Sequence, residues 1–305
     1  MAQWKPQGIW LDGKVRPWDQ ATIHVLSPTV KYGVAVFEGI RAYWNPERGR
    51  MLVFRLEEHS RRLVQSARMM RMENPYAPED ISRAVLETLR ELDPRCDVHI
   101  RALLMVSGDG PMTARGPVSL AIAALERGRP PGFEQGIRCQ ISSWRRISDE
   151  VMPPRIKCTA NYHNGRLAAL EAKANGYDQA LLLNSRGELA EAPGACVFLV
   201  RAGQLITPPV TDDILESITR ETVLILWQEW QGRSGAVRPV DRTELYVADE
   251  VFLCGTAAEI TPVIQVDDLE VGDGVPGPIT RKLQSLYLAA VRGEDSRHHS
   301  WCTEV

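Results

Sequence analysis

The chain has 305 residues, enough for about two domains of average size, and 44% of its residues are hydrophobic and 25% are charged. These values are typical of a globular protein and exclude a disordered chain, a fibrous repeat and a small disulfide-stabilised scaffold. The formal net charge of -3 at pH 7 lacks the basic excess of a nucleic-acid-binding protein, so no nucleic-acid partner is expected.

No segment approaches the roughly 20 consecutive apolar residues of a membrane helix, and the N-terminal residues lack the apolar core of a signal peptide. The six cysteines are widely spaced and form no C-x-x-C pair, which favours free thiols in a reducing compartment. His298, His299 and Cys302 lie close together near the C-terminus, but without a second group of ligands they predict no metal site. We therefore expect a cytoplasmic protein with no membrane partner.

Residues 1–126 have the pattern of a small N-terminal α/β domain. An Asp-Gly pair at 12–13 favours a tight hairpin turn. Strands followed by two helices and further strands are typical of an α+β or mixed α/β domain. The spacing of apolar residues predicts strands at 34–44, 51–54, 98–106 and 118–125 and helices at 56–70 and 78–92.

Proline and glycine interrupt both periodicities at residues 127–137, which indicates an interdomain linker. Residues 138–305 then predict a large C-terminal domain in which helices and strands alternate. The fold class is therefore α/β (α+β), with two mixed α/β domains joined by a short linker. The predicted helices of the second domain are 161–174, 218–231 and 278–291, and the predicted strands include 180–183, 196–200 and 250–254.

The chain contains only six lysines, against 30 arginines. Because arginine keeps its proton in proteins, a nucleophilic amine would have to come from one of those six. Lys157 directly precedes helix 161–174, whose residues Leu167, Leu170 and Ala174 are expected to face inward, and this places it near the core of the second domain. Lys31 is the other plausible site lysine. Solvated positions are expected for Lys5, Lys14, Lys173 and Lys282.

Polar groups of the second domain accompany Lys157. Glu191 precedes a buried-looking strand, where a carboxylate is either a solvated loop residue or the partner of a buried cation. Ser217 is a possible N-cap of helix 218–231, and helix N-termini bind phosphate. The small-residue turn that follows Cys254 would let a ligand approach the backbone closely, although it could also be an ordinary tight turn.

Two strands of the first domain also carry candidate site residues. His99 and Arg101 are two positions apart and share one face of strand 98–106, where a buried arginine would need an anionic partner. Phe37, Gly39 and Arg41 share one face of strand 34–44, and Gly39 removes bulk between larger neighbours. This face is either tightly packed core or the wall of a site.

Three segments together resemble the class IV pyridoxal-phosphate-dependent aminotransferases, and most closely the branched-chain-amino-acid aminotransferases. These are residues 31–41, residues 157–162 together with Glu191, and residues 249–263, and the similarity runs in order over essentially the whole chain. The resemblance implies fold type IV, pyridoxal 5'-phosphate (PLP) as cofactor, and a homodimer or an assembly of dimers. It implies small-molecule substrates, with the amino group of leucine, isoleucine or valine passing to 2-oxoglutarate in a ping-pong mechanism.

The same resemblance assigns individual roles. Lys157 forms the Schiff base with the cofactor and shuttles the substrate proton, Glu191 pairs with the pyridine nitrogen, and Tyr162 bonds the phenolic oxygen. The other cofactor-binding residues are Arg62, Ser217, Ile218, Thr219 and Thr256. The substrate-binding residues are Tyr32, Phe37, Gly39, His99, Arg101, Thr256 and Ala257.

The substrate-binding residues depart from the branched-chain pattern at several positions. His99 stands where these enzymes usually have tyrosine, Cys196 replaces a common asparagine, and the loop at 107–116 is shorter than usual. These changes keep open an (R)-amine or D-amino-acid transaminase of the same fold. A non-catalytic oligomer is the second alternative, against which the retained Lys157 and Glu191 argue.

Overall fold

The computed structural model describes Trp4 and residues 6–305. Lys5 lies outside the described residues, so its solvated position stays a prediction. The chain divides into two compact units, each made of more than one segment. Unit 1 comprises Met1–Gly128, Ile156–Ala160 and Ala289–Val305, and unit 2 comprises Arg129–Arg155 and Asn161–Leu288.

The predicted C-terminal domain covers residues 138–305, whereas two segments within that range, Ile156–Ala160 and Ala289–Val305, belong to unit 1. The backbone around Lys157 joins the sheet of unit 1, because Cys158 forms a β-bridge with Val36 and Thr159 N donates a hydrogen bond to Ala35 O at 3.0 Å. The last residues of the chain likewise form a strand of that sheet. Contacts between residues that are distant in sequence thus determine which segments belong to each unit.

Unit 1 is built on an antiparallel sheet of seven strands in the order β15-β4-β3-β5-β6-β1-β2. The hairpin turn predicted at Asp12-Gly13 is confirmed, because both residues have positive φ, at 46° and 99°. The strands are β1 (Gly8–Leu11), β2 (Lys14–Pro17), β3 (Ala35–Asn45), β4 (Arg50–Phe54), β5 (Val98–Val106), β6 (Val118–Glu126) and β15 (Cys302–Glu304). The helices are α1 (Pro28–Tyr32), α2 (Leu56–Met69) and α3 (Pro78–Leu92).

Helices α2 and α3 form the core of unit 1 together with the sheet. Helix α3 buries Ile81, Val85 and Leu89, which recur every four residues and so lie on one side of the helix. Strand β3 is buried at each of its first nine positions. Any charged side chain in this part of β3 must therefore find a partner inside the protein.

Unit 2 contains a mixed sheet of eight strands in the order β11-β10-β9-β12-β13-β7-β8, with β14 paired to β13. Strand β7 is parallel to both of its neighbours. The strands are β7 (Ile137–Arg145), β8 (Gln179–Leu183), β9 (Cys196–Arg201), β10 (Gln204–Thr207), β11 (Ala236–Val237), β12 (Glu250–Gly255), β13 (Glu259–Val266) and β14 (Leu269–Glu270). The longer helices of the second half are α4 (Tyr162–Ala174), α5 (Ile218–Gln231) and α6 (Pro278–Val291).

Helix α4 buries a narrower face than the sequence predicted. Leu167 and Leu170 are 43% and 48% exposed, and Ala174 is exposed as well, so the prediction that these residues face inward is wrong. The buried side instead carries small residues such as Gly165, where a Cβ atom would lie 3.0 Å from the backbone of Pro193. The helix packs closely because that side lacks bulk.

None of the described helices is both long and apolar enough to cross a bilayer.

Candidate active site

Lys157 lies in an irregular segment attached to β3. Phe37 N donates a hydrogen bond to Lys157 O at 2.9 Å, and Lys157 N donates to Ser66 Oγ at 3.2 Å. The side chain is half-buried, and its Nζ lies 5.2 Å from the centroid of the Phe37 ring. The sequence predicted a position near the core of the second domain, whereas these contacts attach Lys157 to unit 1.

A buried carboxylate holds Arg62 in place. The Glu38 side chain on β3 is fully buried, and its two oxygens accept hydrogen bonds from Arg62 Nε at 2.6 Å and from Arg62 Nη2 at 2.8 Å. Burial alone would raise the pKa of Glu38, but the charge of Arg62 and hydrogen bonds from Arg62 and His59 outweigh it and hold the pKa well below its ordinary value. Because the contact is bidentate, it fixes the plane of the guanidinium.

His59 on α2 is the second partner of Glu38. Its Nδ1 lies 2.7 Å from Glu38 Oε2, and burial lowers the pKa of His59 more than the Glu38 charge raises it. The imidazole is therefore neutral at pH 7. Because a carboxylate can only accept a hydrogen bond, Nδ1 carries the ring proton and donates the hydrogen bond to Glu38. Neither Glu38 nor His59 was predicted as a site residue. The available signal was a glutamate inside a largely apolar strand.

The ring of His99 lies directly over Gly39. Strands β3 and β5 pair here, and a Cβ atom at residue 39 would lie only 2.7 Å from His99 Cε1 and 2.9 Å from Nε2. Burial, followed by the charges of Arg101 and Arg41, lowers the pKa of His99 to about 3, so the imidazole is neutral at pH 7. Within the described part of the chain, its Nδ1 is buried with no hydrogen-bond partner.

Arg101 is exposed, so the prediction of a buried arginine that needs an anion is wrong. Its guanidinium carbon instead lies 3.9 Å from the centroid of the Phe37 ring, a cation–π contact. Arg101 and Lys157 thus meet on the same aromatic side chain. Tyr32 ends helix α1 with 44% of its surface exposed, and Lys31 Nζ lies 5.4 Å from its ring.

Unit 2 contains a second buried ion pair, between Glu191 and Arg146. Arg146 Nη2 lies 2.7 Å from Glu191 Oε1, and both side chains are 7% exposed. Of the two interpretations offered by the sequence, a solvated carboxylate and the partner of a buried cation, the second is confirmed. Arg146 was not predicted, because an arginine directly after a strand carries no distinctive signal.

The N-terminus of α5 has the features of an anion-binding site. The predicted N-cap is confirmed, since Ser217 Oγ accepts a hydrogen bond from Arg220 N at 3.2 Å. Thr219 in the first turn is 3% exposed, beside Ile218 at 8%. The first N–H groups of a helix have no acceptor within the helix, and the helix dipole favours negative charge there.

Two further predicted residues lie in the turn between β12 and β13. Thr256 and Ala257 follow Gly255, where a Cβ atom would lie 3.3 Å from Gly194 O. The small residues therefore allow the turn to pack against a neighbouring backbone, and both Thr256 and Ala257 remain partly exposed. Tyr162 is the first residue of α4.

These groups fit PLP chemically. Unit 1 contains an amine for an aldehyde at Lys157 and an oriented guanidinium for a phosphate at Arg62. Unit 2 contains a buried carboxylate for a ring nitrogen at Glu191, a phenol at Tyr162 and a capped helix N-terminus for a phosphate. Among the described residues, no group of three or more histidine, cysteine, aspartate or glutamate side chains could hold a metal ion.

Known proteins are similar to this chain in both sequence and fold. Residues 35–266 match the family model of class IV amino-transferases. A probable branched-chain-amino-acid aminotransferase of Aquifex aeolicus is 41% identical over 299 residues, which cover 97% of this chain and 96% of that protein.

Solved structures agree over almost the full length. The PLP form of a branched-chain amino acid aminotransferase from Thermobaculum terrenum has a TM-score of 0.93 and 44% identity, covering 98% of both chains. A T.th. branched-chain amino acid aminotransferase complexed with N-(5'-phosphopyridoxyl)-L-glutamate has a TM-score of 0.92 and 38% identity, covering 99% of both chains. The predicted mixed α/β fold of type IV is confirmed by these matches, and the chain belongs to the class IV aminotransferase family.

Proposed function

We propose that this chain catalyses the PLP-dependent transamination of the branched-chain L-amino acids leucine, isoleucine and valine with 2-oxoglutarate. The observation that carries the proposal is similarity to branched-chain aminotransferases at 36–44% identity over nearly the whole chain. The retained amine of Lys157 and the buried carboxylate of Glu191 support it. Without these two groups, the same similarity would be compatible with a non-catalytic member of the family.

When bound, PLP supplies an aldehyde and an electron-withdrawing ring that stabilises negative charge at the substrate Cα. Lys157 would hold the cofactor at its aldehyde carbon through Nζ. Once displaced by the substrate amine, it would take the proton from the substrate Cα as general base and give that proton, as general acid, to the former aldehyde carbon. The second half-reaction uses the same group in the opposite order, which gives a ping-pong cycle.

The other cofactor-binding residues would orient the cofactor and stabilise its charged groups. Glu191 would keep a proton on the ring nitrogen, and Tyr162 would hydrogen-bond the phenolic oxygen. The Glu38 contact fixes the plane of the Arg62 guanidinium, which suits binding of a phosphate with defined geometry. The remaining phosphate-binding residues are Ser217, Ile218, Thr219 and Thr256.

Substrates are bound by residues of two kinds. The turn at Thr256 and Ala257 offers backbone groups for the α-carboxylate. From the family resemblance we assign the distal carboxylate of glutamate and 2-oxoglutarate to Tyr32 and Arg101. The T.th. relative solved with a phosphopyridoxyl-L-glutamate adduct supports glutamate as a substrate, although not the individual contacts. The side-chain pocket is shaped by the apolar surfaces of Phe37 and Gly39, with the neutral ring of His99 beside them.

We further propose two domains with boundaries near residues 126 and 138 and a cytoplasmic location, both from the sequence pattern, and a homodimer or an assembly of dimers, from the family resemblance. Apolar side chains at and before α1 are exposed, with Val25 at 68%, Leu26 at 51% and Val30 at 50%, and this is compatible with burial in an assembly. Light scattering on the purified protein tests the assembly, and a monomer would contradict it.

The substrate half-reaction tests the proposed activity. Purified protein loaded with PLP is mixed separately with L-leucine, D-alanine and (R)-1-phenylethylamine, and the loss of the visible cofactor absorbance is followed. We expect L-leucine to react fastest. If L-leucine gives no response, the proposal fails, and a response to D-alanine or to the amine would favour the alternative that His99 suggests. The absence of any visible cofactor band after addition of PLP would favour the non-catalytic oligomer.

A further inference from the structure

Both oxygens of the Glu191 carboxylate are already engaged within unit 2. Oε1 forms the ion pair with Arg146 at 2.7 Å, and Oε2 accepts a hydrogen bond from Leu215 N at 3.2 Å. The thiol of Cys196 lies 3.8 Å from the same Oε2. The carboxylate therefore has a defined orientation and a positive charge in direct contact with it.

Arg146 is itself anchored by the backbone. Its Nε donates to Asp213 O at 3.2 Å, and its backbone N donates to Leu183 O at 2.8 Å. Glu191 O in turn accepts a hydrogen bond from Leu182 N at 2.9 Å. Both members of the ion pair are thus tied to consecutive residues of β8, so their relative position is set by a strand rather than by two flexible side chains.

We propose that Arg146 is a positioning residue that acts through Glu191 and keeps the pyridine nitrogen of bound PLP protonated. The proposal rests on the role of Glu191 toward that nitrogen given above. A proton shared between a carboxylate and a pyridine lies on one or the other, and Arg146 favours the arrangement in which Glu191 stays ionised and the ring nitrogen holds the proton.

The sign of the effect follows from distance. Arg146 contacts the carboxylate directly, whereas a pyridine nitrogen that hydrogen-bonds to that carboxylate lies farther from the guanidinium. Because Coulomb energy falls with separation, Arg146 stabilises the negative charge on Glu191 more than it repels a positive charge on the ring. Without Arg146, a carboxylate this deeply buried would gain from taking the proton itself.

The test measures directly the protonation state of the pyridine nitrogen in protein loaded with PLP. Variants are reconstituted with PLP labelled with ¹⁵N at the pyridine nitrogen, whose NMR shift distinguishes the protonated from the unprotonated ring. We expect wild type and Arg146→Lys to show a protonated ring nitrogen, and Arg146→Gln and Glu191→Gln to show an unprotonated one. Arg145→Gln is the matched control, because Arg145 is the preceding, exposed arginine and should leave the shift unchanged.

A structural role for Arg146 predicts a different result, namely lower thermal stability with the wild-type nitrogen shift. A wild-type shift in Arg146→Gln together with a changed shift in Glu191→Gln would overturn the inference and leave the assignment of Glu191 intact. A wild-type shift in both variants would instead overturn the role of Glu191.

A second neutral variant, Arg146→Met, guards against a folding defect that is specific to glutamine. If both neutral variants fail to fold while Arg146→Lys folds, the ion pair is structural and the inference fails. In the folded neutral variants, the half-reaction with L-leucine should slow by roughly ten- to a hundred-fold, by analogy with the loss of a partner that orients a metal ligand.

Discussion

Replacing Gly39 by alanine places a methyl group where the ring of His99 already lies. The new Cβ atom would be 2.7 Å from Cε1 and 2.9 Å from Nε2, whereas carbon atoms in contact are best separated by about 3.5–4.0 Å. The ring must therefore retreat by about 1 Å. Overpacking of this kind costs about 1–3 kcal/mol, partly offset by the roughly 0.5–1 kcal/mol that alanine typically gains over glycine within a strand.

The displaced group is the far end of a side chain, so we expect the change to alter the site more than the fold. Gly39→Ala should lower the melting temperature by only a few degrees. Because misplacement by about 1 Å costs up to about a hundred-fold in activity, the half-reactions with L-leucine and L-glutamate should slow markedly. The assays are thermal unfolding and single-turnover kinetics on each half-reaction, with Gly128→Ala as control, since nothing lies within 4 Å of a Cβ atom at Gly128.

A double-mutant cycle decides whether the contact with His99 is the cause. In the His99→Ala background the methyl group has room, so Gly39→Ala should be neutral or slightly stabilising there. The expected coupling energy between the two positions is about 0.5–3 kcal/mol. If the free-energy changes caused by Gly39→Ala and His99→Ala add to within about 0.5 kcal/mol, the reasoning is refuted, because Gly39→Ala would then act without His99.

Three further predictions concern charged residues. Lys157→Ala should abolish transamination of L-leucine while Lys31→Ala, whose Nζ contacts Gly110 O at the surface, should not, and substantial turnover by the first variant would contradict the assignment. Arg62→Ala should weaken binding of PLP but not of pyridoxal, which lacks the phosphate, and an equal loss for both in equilibrium titrations would contradict a phosphate contact. Glu38→Gln should destabilise the fold by about 3–5 kcal/mol at pH 7, because it leaves a largely buried arginine without its carboxylate. Since the pKa of Glu38 is lower in the folded than in the unfolded chain, this stabilisation is present above about pH 4.3 and is lost as the pH falls further, so the gap in melting temperature between wild type and Glu38→Gln should narrow toward about pH 3. A gap that stays constant with pH would contradict an ionised Glu38.

Local sequence patterns predicted the long elements of the fold well. Helices α3, α5 and α6 have the predicted bounds, and the Asp-Gly turn at 12–13 has the predicted backbone conformation. Each of these follows from residues close together in the chain. The five-residue helix α1 was missed, because it is too short to show apolar periodicity and depends on its cap at Ser27.

The partners of the predicted site residues could not be read from the sequence. Glu38 and Arg62 are 24 residues apart and lie on a strand and a helix, while Arg146 and Glu191 are 45 positions apart. No local pattern marks such pairs, since they form only when the elements pack. The burial of Arg101 was mispredicted for a related reason. Alternation along β5 gives the face of the strand, but not whether that face is covered.

The two buried ion pairs and Lys157 use different properties of a basic side chain. Arg62 and Arg146 each bind a buried carboxylate, and a guanidinium suits that role because it keeps its charge and presents several N–H groups in a fixed plane. Lys157 is proposed to do the opposite, since its amine must lose a proton to bond carbon and then carry one. In a chain with 30 arginines and six lysines, the positions that need constant charge and geometry can all be arginine. The position that needs a removable proton cannot, which gives a chemical reason for a lysine at residue 157.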